Sequence, residues 1–178
     1  KGGVGKIIEY YGPGLKQLSA MDRHVIANMG AELGATATVF PSDEETRRFL
    51  KSQEREDDWV ELKADEGCKY DLHDEIVLDE LVPLIAKPTS PGNVVPVSEV
   101  AGQEVSQCVV GSSANPGLRD FWIVGEIVRG QSVDPEVSLD INPTSRQIIQ
   151  NMTKMGTFAS LITAGARFHQ SGCMGCIG

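Results

Sequence analysis

Apolar and polar positions follow two different periods along this chain, and the change of period predicts its elements. The short apolar runs typical of strands are residues 7–11, 36–40, 108–111 and 137–141. Apolar side chains recur at spacings of one, three and four after Ser19, along residues 121–128 and along residues 148–152, which predicts helices. Strands that alternate with helices indicate an α/β fold.

Polar residues in front of the predicted helices are suited to cap them. Ser19 is a predicted N-cap, and Asp22 three residues later favours the same helix start. Residues 42–45 open a second helix with carboxylates, and residues 143–145 open the last one. The first of these helices ends in a segment rich in small residues, 30–35, which predicts close packing of its backbone.

Prolines and glycines between Lys87 and Pro96 mark a domain boundary. We therefore expect one domain over residues 1–87 and a second over residues 88–178. Residues 52–67 are mostly charged or polar, which predicts a solvated loop or face.

Composition narrows the classes of function. The 178 residues carry 16 Lys and Arg against 25 Asp and Glu, a net charge of −9. Such an acidic chain is poorly suited to nucleic acid or to anionic membranes, which attract basic residues. We expect a cytoplasmic protein, because no apolar run is long enough to span a bilayer and no signal peptide opens the chain. The absence of an initial Met suggests a piece of something longer or a processed product.

Two of the four cysteines are closely spaced, Cys173 and Cys176. A disulfide framework is not expected without a secretory signal. Two thiolates separated by two residues can face one metal ion or cluster. The pair alone leaves open an iron–sulfur site, a zinc site, a redox dithiol and a chance spacing, and either metal site needs at least one further ligand.

Two other segments are candidates for binding. Residues 111–117 follow a predicted strand and precede a helix, where backbone N–H groups and small hydroxyls can face an anion. The same residues also suit an ordinary capped turn. Asn28 and Glu32 lie one helical turn apart. Two environments are open for Glu32: a desolvated one, whose shifted pKa would suit proton transfer or substrate binding, or a solvent-exposed one.

Together, six segments resemble the aconitase family in order and spacing. They are residues 12–14, 26–36, 39–41, 88–96, 111–115 and 173–178. The resemblance covers nearly the whole chain except the acidic segment 52–69, and it is nearer to bacterial aconitate hydratases than to isopropylmalate dehydratase. It implies three-layer α/β domains with a mixed or parallel sheet, here incomplete: most of the family's second domain and the start of its third.

The resemblance also implies a 4Fe–4S cluster that acts as a Lewis acid in the conversion of citrate to isocitrate through cis-aconitate. The family's last two cluster cysteines match Cys173 and Cys176, and its first matches Ser113. Three interpretations of that serine remain: Ser113 ligates iron as an alkoxide, Cys108 replaces it, or a cysteine from a missing segment serves. If none holds, the cluster is labile or absent.

Active-site residues follow from the same resemblance. Asn28 and Glu32 match a catalytic and substrate-binding pair, and Asn115 matches a substrate-binding position. The expected partners are the tricarboxylic acids citrate, cis-aconitate and isocitrate and the missing segments of the same polypeptide, without which this piece is expected to be inactive. The alternatives are an isopropylmalate or homoaconitate dehydratase, a non-catalytic iron–sulfur or zinc module and a redox dithiol protein. The histidines expected to be structural or at the surface are His24, His73 and His169.

Overall fold

The computed structural model describes residues 2–173 and consists of two compact units, Lys1–Ala101 and Gly102–Gly178. Each unit combines helices with a parallel sheet, so the predicted α/β class is confirmed. The division between the units falls after Ala101, whereas the sequence predicts a boundary after residue 87. The domain boundary of the family fold stays a prediction.

The first unit begins as a strand, a helix and a parallel strand. These are β1 (Ile7–Glu9), α1 (Ala20–Leu33) and β2 (Ala37–Val39), with Ile8 opposite Thr38. A second helix, α2 (Glu44–Ser52), follows. Its N-cap is Asp43, whose side chain accepts a hydrogen bond from the Glu45 N–H.

The proline-rich segment is not a plain linker. It contains an antiparallel pair, β3 (Leu84–Ala86) and β4 (Val94–Pro96). Both strands are too short, and too close to prolines, to show the alternation of apolar and polar residues on which a strand prediction depends. The remaining turns of this unit are 3₁₀-helical, at Pro13–Gln17, Glu56–Asp58, Leu78–Glu80 and Val97–Val100.

Local sequence explains why α1 starts and packs where it does. The Ser19 side chain accepts a hydrogen bond from the Asp22 N–H, and the Asp22 carboxylate accepts one from the Ser19 N–H, as the predicted cap requires. Gly30 lies directly over Thr38, because a Cβ added there would lie 2.0 Å from the threonine Oγ1. The small-residue run therefore brings the helix close to β2, as expected.

A buried guanidinium joins α1 to the start of α2. Arg23 is only 4% exposed and donates to both carboxylate oxygens of Asp43, at 2.8 and 3.0 Å, and to the Leu15 carbonyl at 2.7 Å. These bonds partner the two terminal nitrogens of a charge that would otherwise be costly to bury, while Nε has no hydrogen-bond partner in residues 2–173.

The acidic segment after α2 is largely solvated, as predicted, with nearly all of residues 52–67 exposed. The chain that follows contacts the segment after β1 through aromatic side chains. Tyr70 stacks on Tyr11 with a centroid separation of 5.3 Å, and the Tyr11 hydroxyl lies 2.6 Å from His73 Nδ1.

Three parallel strands in the order β5–β6–β7 form the sheet of the second unit. They are β5 (Gln107–Gly111), β6 (Ser138–Asn142) and β7 (Arg167–Phe168). The helices between them are α3 (Leu118–Ile127), α4 (Arg146–Met155) and α5 (Thr157–Thr163). The sequence predicts α3, α4, β5 and β6 and misses the short α5 and β7.

The core of this unit lies between the sheet and the three helices. Its buried members are Phe121, Leu139, Ile141, Met152 and Leu161. The central strand β6 is buried over its last four residues, whereas the edge strand β5 is exposed over its first three. The strand predicted at residues 108–111 therefore forms but is not buried: it is exposed over its first half and half-buried over the rest, because an edge strand has a neighbour on one side only. Among residues 2–173, no helix is both long and apolar enough to cross a membrane.

Candidate functional site

The carboxyl ends of β5, β6 and β7 open at one edge of the second unit's sheet. Because the strands are parallel, the segments that leave them are neighbours in space although they are distant in sequence. These exits are residues 112–117, 143–145 and 169–173. The edge therefore collects most of the polar residues that the sequence singles out in this unit.

At this edge the Ser112 hydroxyl contacts the Cys173 thiol. The oxygen and the sulfur lie 3.6 Å apart, and both residues are half-buried. Ser113 and Asn115 occupy the same exit loop, and both are exposed. The loop after β5 and the cysteine loop thus meet, as a shared ligand site requires, and Ser112 makes the contact.

Buried Asn142, the last residue of β6, holds the two loops together. Its side-chain N–H donates to the Gln170 carbonyl at 2.8 Å, on the cysteine side. On the other side Gly111 lies against its backbone, because a Cβ added to Gly111 would lie 2.2 Å from the Asn142 carbonyl oxygen. The exit after β6, residues 143–145, also contacts the exit after β5, since the Thr144 hydroxyl donates to the Pro116 carbonyl at 2.6 Å.

A buried carboxylate, Asp140, anchors the start of the cysteine loop. Its oxygens lie 2.7 Å from Gln107 Nε2, 2.8 Å from Ser138 Oγ and 2.9 Å from His169 Nε2. Those three hydrogen bonds, with the Gln107 bond having the largest effect, hold the pKa of Asp140 well below its usual range, and the Arg167 guanidinium adds to this. Asp140 therefore stays ionised, and its bond to His169 fixes the position of the chain four residues before Cys173.

The remaining candidate ligands of the second unit are Cys108 and Cys176. Cys108 is exposed on β5, opposite Leu139 and three residues before the strand ends. Three residues of strand span about 10 Å, so Cys108 lies well back from the edge that carries Cys173. Cys176 lies outside the described residues.

Asn28 and Glu32 lie in the first unit, one turn apart on α1, and both side chains are exposed there. Of the two environments open for Glu32, the structure of this unit shows the solvent-exposed one. Their roles in catalysis and substrate binding stay predictions.

Sequence reasoning missed Ser112, Asn142 and Asp140. Ser112 precedes Ser113, the residue that matches the family's first cluster cysteine, and the spacing to Cys173 singles out only Ser113. The polar residues of β6 fit its alternating pattern as ordinary members of a strand, and nothing in that pattern shows that they are buried. Of the histidines, His169 has the structural role expected of it and His73 contacts Tyr11.

The cysteine loop fits the ligand role that was predicted for it, as far as the structure describes it. Cys173 offers a half-buried thiol at the meeting point of two loops, and the Ser171 hydroxyl is buried with no hydrogen-bond partner in residues 2–173. Within those residues no three His, Cys, Asp or Glu side chains are grouped to hold a metal ion. Cys176 and a third ligand, which would complete the set, stay predictions.

In open α/β sheets, ligands bind at the carboxyl ends of the strands, where this chain has its polar loops. The chain belongs to the aconitase family, because a sequence profile described as the aconitase family (aconitate hydratase) matches residues 1–106 and 99–178.

Individual relatives add detail. The chain is 36% identical over 177 residues to the 3-isopropylmalate dehydratase large subunit 2 of Archaeoglobus fulgidus, a match that covers 99% of this chain and 42% of the relative. The large subunit 1 of the same enzyme from Thermotoga maritima is 35% identical over 179 residues, again 99% of this chain and 43% of the relative. An aconitase–ribosomal protein bL21m fusion protein of Schizosaccharomyces pombe is 33% identical over 199 residues, all of this chain and 22% of the relative. The chain thus spans about two fifths of the dehydratase subunits that it matches.

Proposed function

We propose that this chain is part of the large subunit of an iron–sulfur hydro-lyase that dehydrates a hydroxy acid of the isopropylmalate type. The observation that carries the proposal is the match of 99% of the chain to isopropylmalate dehydratase large subunits. The match favours that alternative over aconitate hydratase. A large subunit implies a smaller partner subunit, which joins the substrate and the rest of the polypeptide as the expected partners in a cytoplasmic enzyme.

Cys173, Cys176 and Ser113 would hold the 4Fe–4S cluster in this proposal, and the bound cluster would supply Lewis-acid polarisation of the substrate hydroxyl. The meeting of the β5 exit with Cys173 supports a shared site at this edge. An oxygen ligand at residue 113 is weaker than a thiolate for a soft iron–sulfur centre. Cys108 is the less favoured third ligand, since it lies about 10 Å back along β5.

Asn28, Glu32 and Asn115 would act on the substrate. The protonated Glu32 carboxyl would give its proton to the departing hydroxyl, which leaves as water, and the Asn28 amide, one turn away, would bind a substrate oxygen. The exposure of both side chains in this unit leaves them accessible. The Asn115 amide, exposed in the β5 exit loop, would bind substrate beside the cysteine loop.

The test of the substrate uses the full-length protein with its small subunit, reconstituted with iron and sulfide without oxygen. We expect the enzyme to dehydrate 3-isopropylmalate with a kcat/KM well above that for citrate. The reaction is measured through the ultraviolet absorbance of the unsaturated acid that it forms. A preference for citrate would restore the aconitate hydratase alternative. Bound iron without either activity would indicate a non-catalytic iron–sulfur module.

The role of Glu32 is tested in the same enzyme by Glu32→Gln. General acid–base catalysis contributes typically 10²–10⁴-fold, so we expect kcat to fall by about that factor with KM little changed. Glu66→Gln is the matched control, because it removes the same charge from an exposed position in the acidic segment. Equal activity in the two variants would remove Glu32 from the mechanism.

A further inference from the structure

The contact between Ser112 and Cys173 is produced by the core of the second unit. Gly111 has no room for a side chain against Asn142, so the end of β5 lies directly against the end of β6. Asn142 in turn holds the Gln170 carbonyl three residues before the cysteine. The sulfur and the hydroxyl oxygen therefore meet at 3.6 Å because both loops are attached to one buried residue.

The chemistry of the two groups gives the contact a direction once Cys173 binds metal. A cysteine ligates metal as a thiolate, which accepts hydrogen bonds and has no proton to donate. A serine hydroxyl has one O–H donor. In the metal-bound state, then, the hydrogen bond runs from the Ser112 hydroxyl to the Cys173 sulfur.

We propose that Ser112 is a positioning residue for Cys173: the Ser112 hydroxyl donates a hydrogen bond to the cluster-ligating sulfur and thereby raises the reduction potential of the cluster. The inference rests on the proposed function, in which Cys173 is a cluster ligand. Hydrogen bonds to cluster sulfurs help to set the potential because they stabilise the more negative, reduced state. Ser112 therefore differs in role from Ser113, which is proposed to ligate iron directly.

The experiment compares Ser112→Ala with the wild type in the full-length protein, reconstituted with iron and sulfide. Iron and sulfide content are measured first, and the midpoint potential of the cluster is then measured by redox titration followed by electron paramagnetic resonance. We expect Ser112→Ala to keep its iron and sulfide but to show a more negative midpoint potential. Ser112→Thr keeps the hydroxyl and should restore the wild-type value.

Ser160→Ala is the matched control, since it removes a half-buried hydroxyl of the same unit that donates to the Gly156 carbonyl at the start of α5, outside the cysteine loop. It should leave the potential unchanged. A wild-type potential in Ser112→Ala would overturn the inference and leave the proposed function intact. Loss of iron in Ser112→Ala but not in Ser113→Ala would make Ser112 a ligand and also overturn it. A wild-type protein that takes up no iron or sulfide would overturn the proposed function together with the inference.

Discussion

Gly111 is the position at which a single added methyl group should disturb the candidate site most. It has a φ of +154° at the end of β5, and a Cβ there would lie 2.2 Å from the Asn142 carbonyl oxygen, 2.5 Å from its Cβ and 2.7 Å from its Cα. Ordinary carbon–oxygen contacts are about 3.3 Å or longer, so the two strand ends must separate by about 1 Å. Gly111→Ala therefore pushes Ser112 away from Cys173.

The cost has two parts. Overpacking a tight contact costs about 1–3 kcal/mol, and a side chain in this backbone region costs about another 1–3 kcal/mol. We expect Gly111→Ala to lower the free energy of local unfolding by about 2–6 kcal/mol in sum. Gly130→Ala is the control, because Gly130 has a φ of +71° with nothing within 4 Å, so only the backbone cost applies.

Hydrogen exchange of the β6 amides measures this local free energy in the full-length protein, and the iron content of the reconstituted protein reports on the site. We expect faster exchange and less bound iron in Gly111→Ala than in Gly130→Ala. Equal effects of the two substitutions on β6 exchange would show that Gly111 and Asn142 do not pack as described and would refute the reasoning.

Two further predictions concern buried charges. Asp43→Ala leaves the buried Arg23 guanidinium without its carboxylate partner and should destabilise the first unit by about 1–3 kcal/mol. Hydrogen exchange of the α1 amides measures this loss, and unchanged exchange would contradict the ion pair. The lowered pKa of Asp140 stabilises the fold above the carboxyl's unfolded pKa of about 4, and this stabilisation is lost as the pH falls towards the lower folded value. Urea unfolding from pH 6 to pH 3 should thus show a steeper loss of stability in the wild type than in Asp140→Asn, and parallel curves would contradict it.

Local patterns predicted much of the fold of this chain. The cap at Ser19 and Asp22, the small residues before β2 and the helix start at Ser145 are decided by neighbours within a few residues. Short-range hydrogen bonds and hydrophobic periodicity act over that distance, so they are readable in the sequence. The short elements β3, β4, β7 and α5 escaped prediction, because two to seven residues show no clear period.

The candidate site, too, has features that the local sequence shows and features that only the tertiary structure sets. Cys173 and the residues around Ser113 stand out in the sequence by spacing and by resemblance to a family motif. The tertiary structure decides that Ser112 makes the contact with the sulfur, that Asn142 holds the two loops together and that Asp140 is a buried anion. These facts depend on the parallel register of β5, β6 and β7, which joins residues 27 or more positions apart, and on which face of the sheet the helices cover. No local pattern carries that information, because it arises only when the strands pair and the core closes on one face of the sheet.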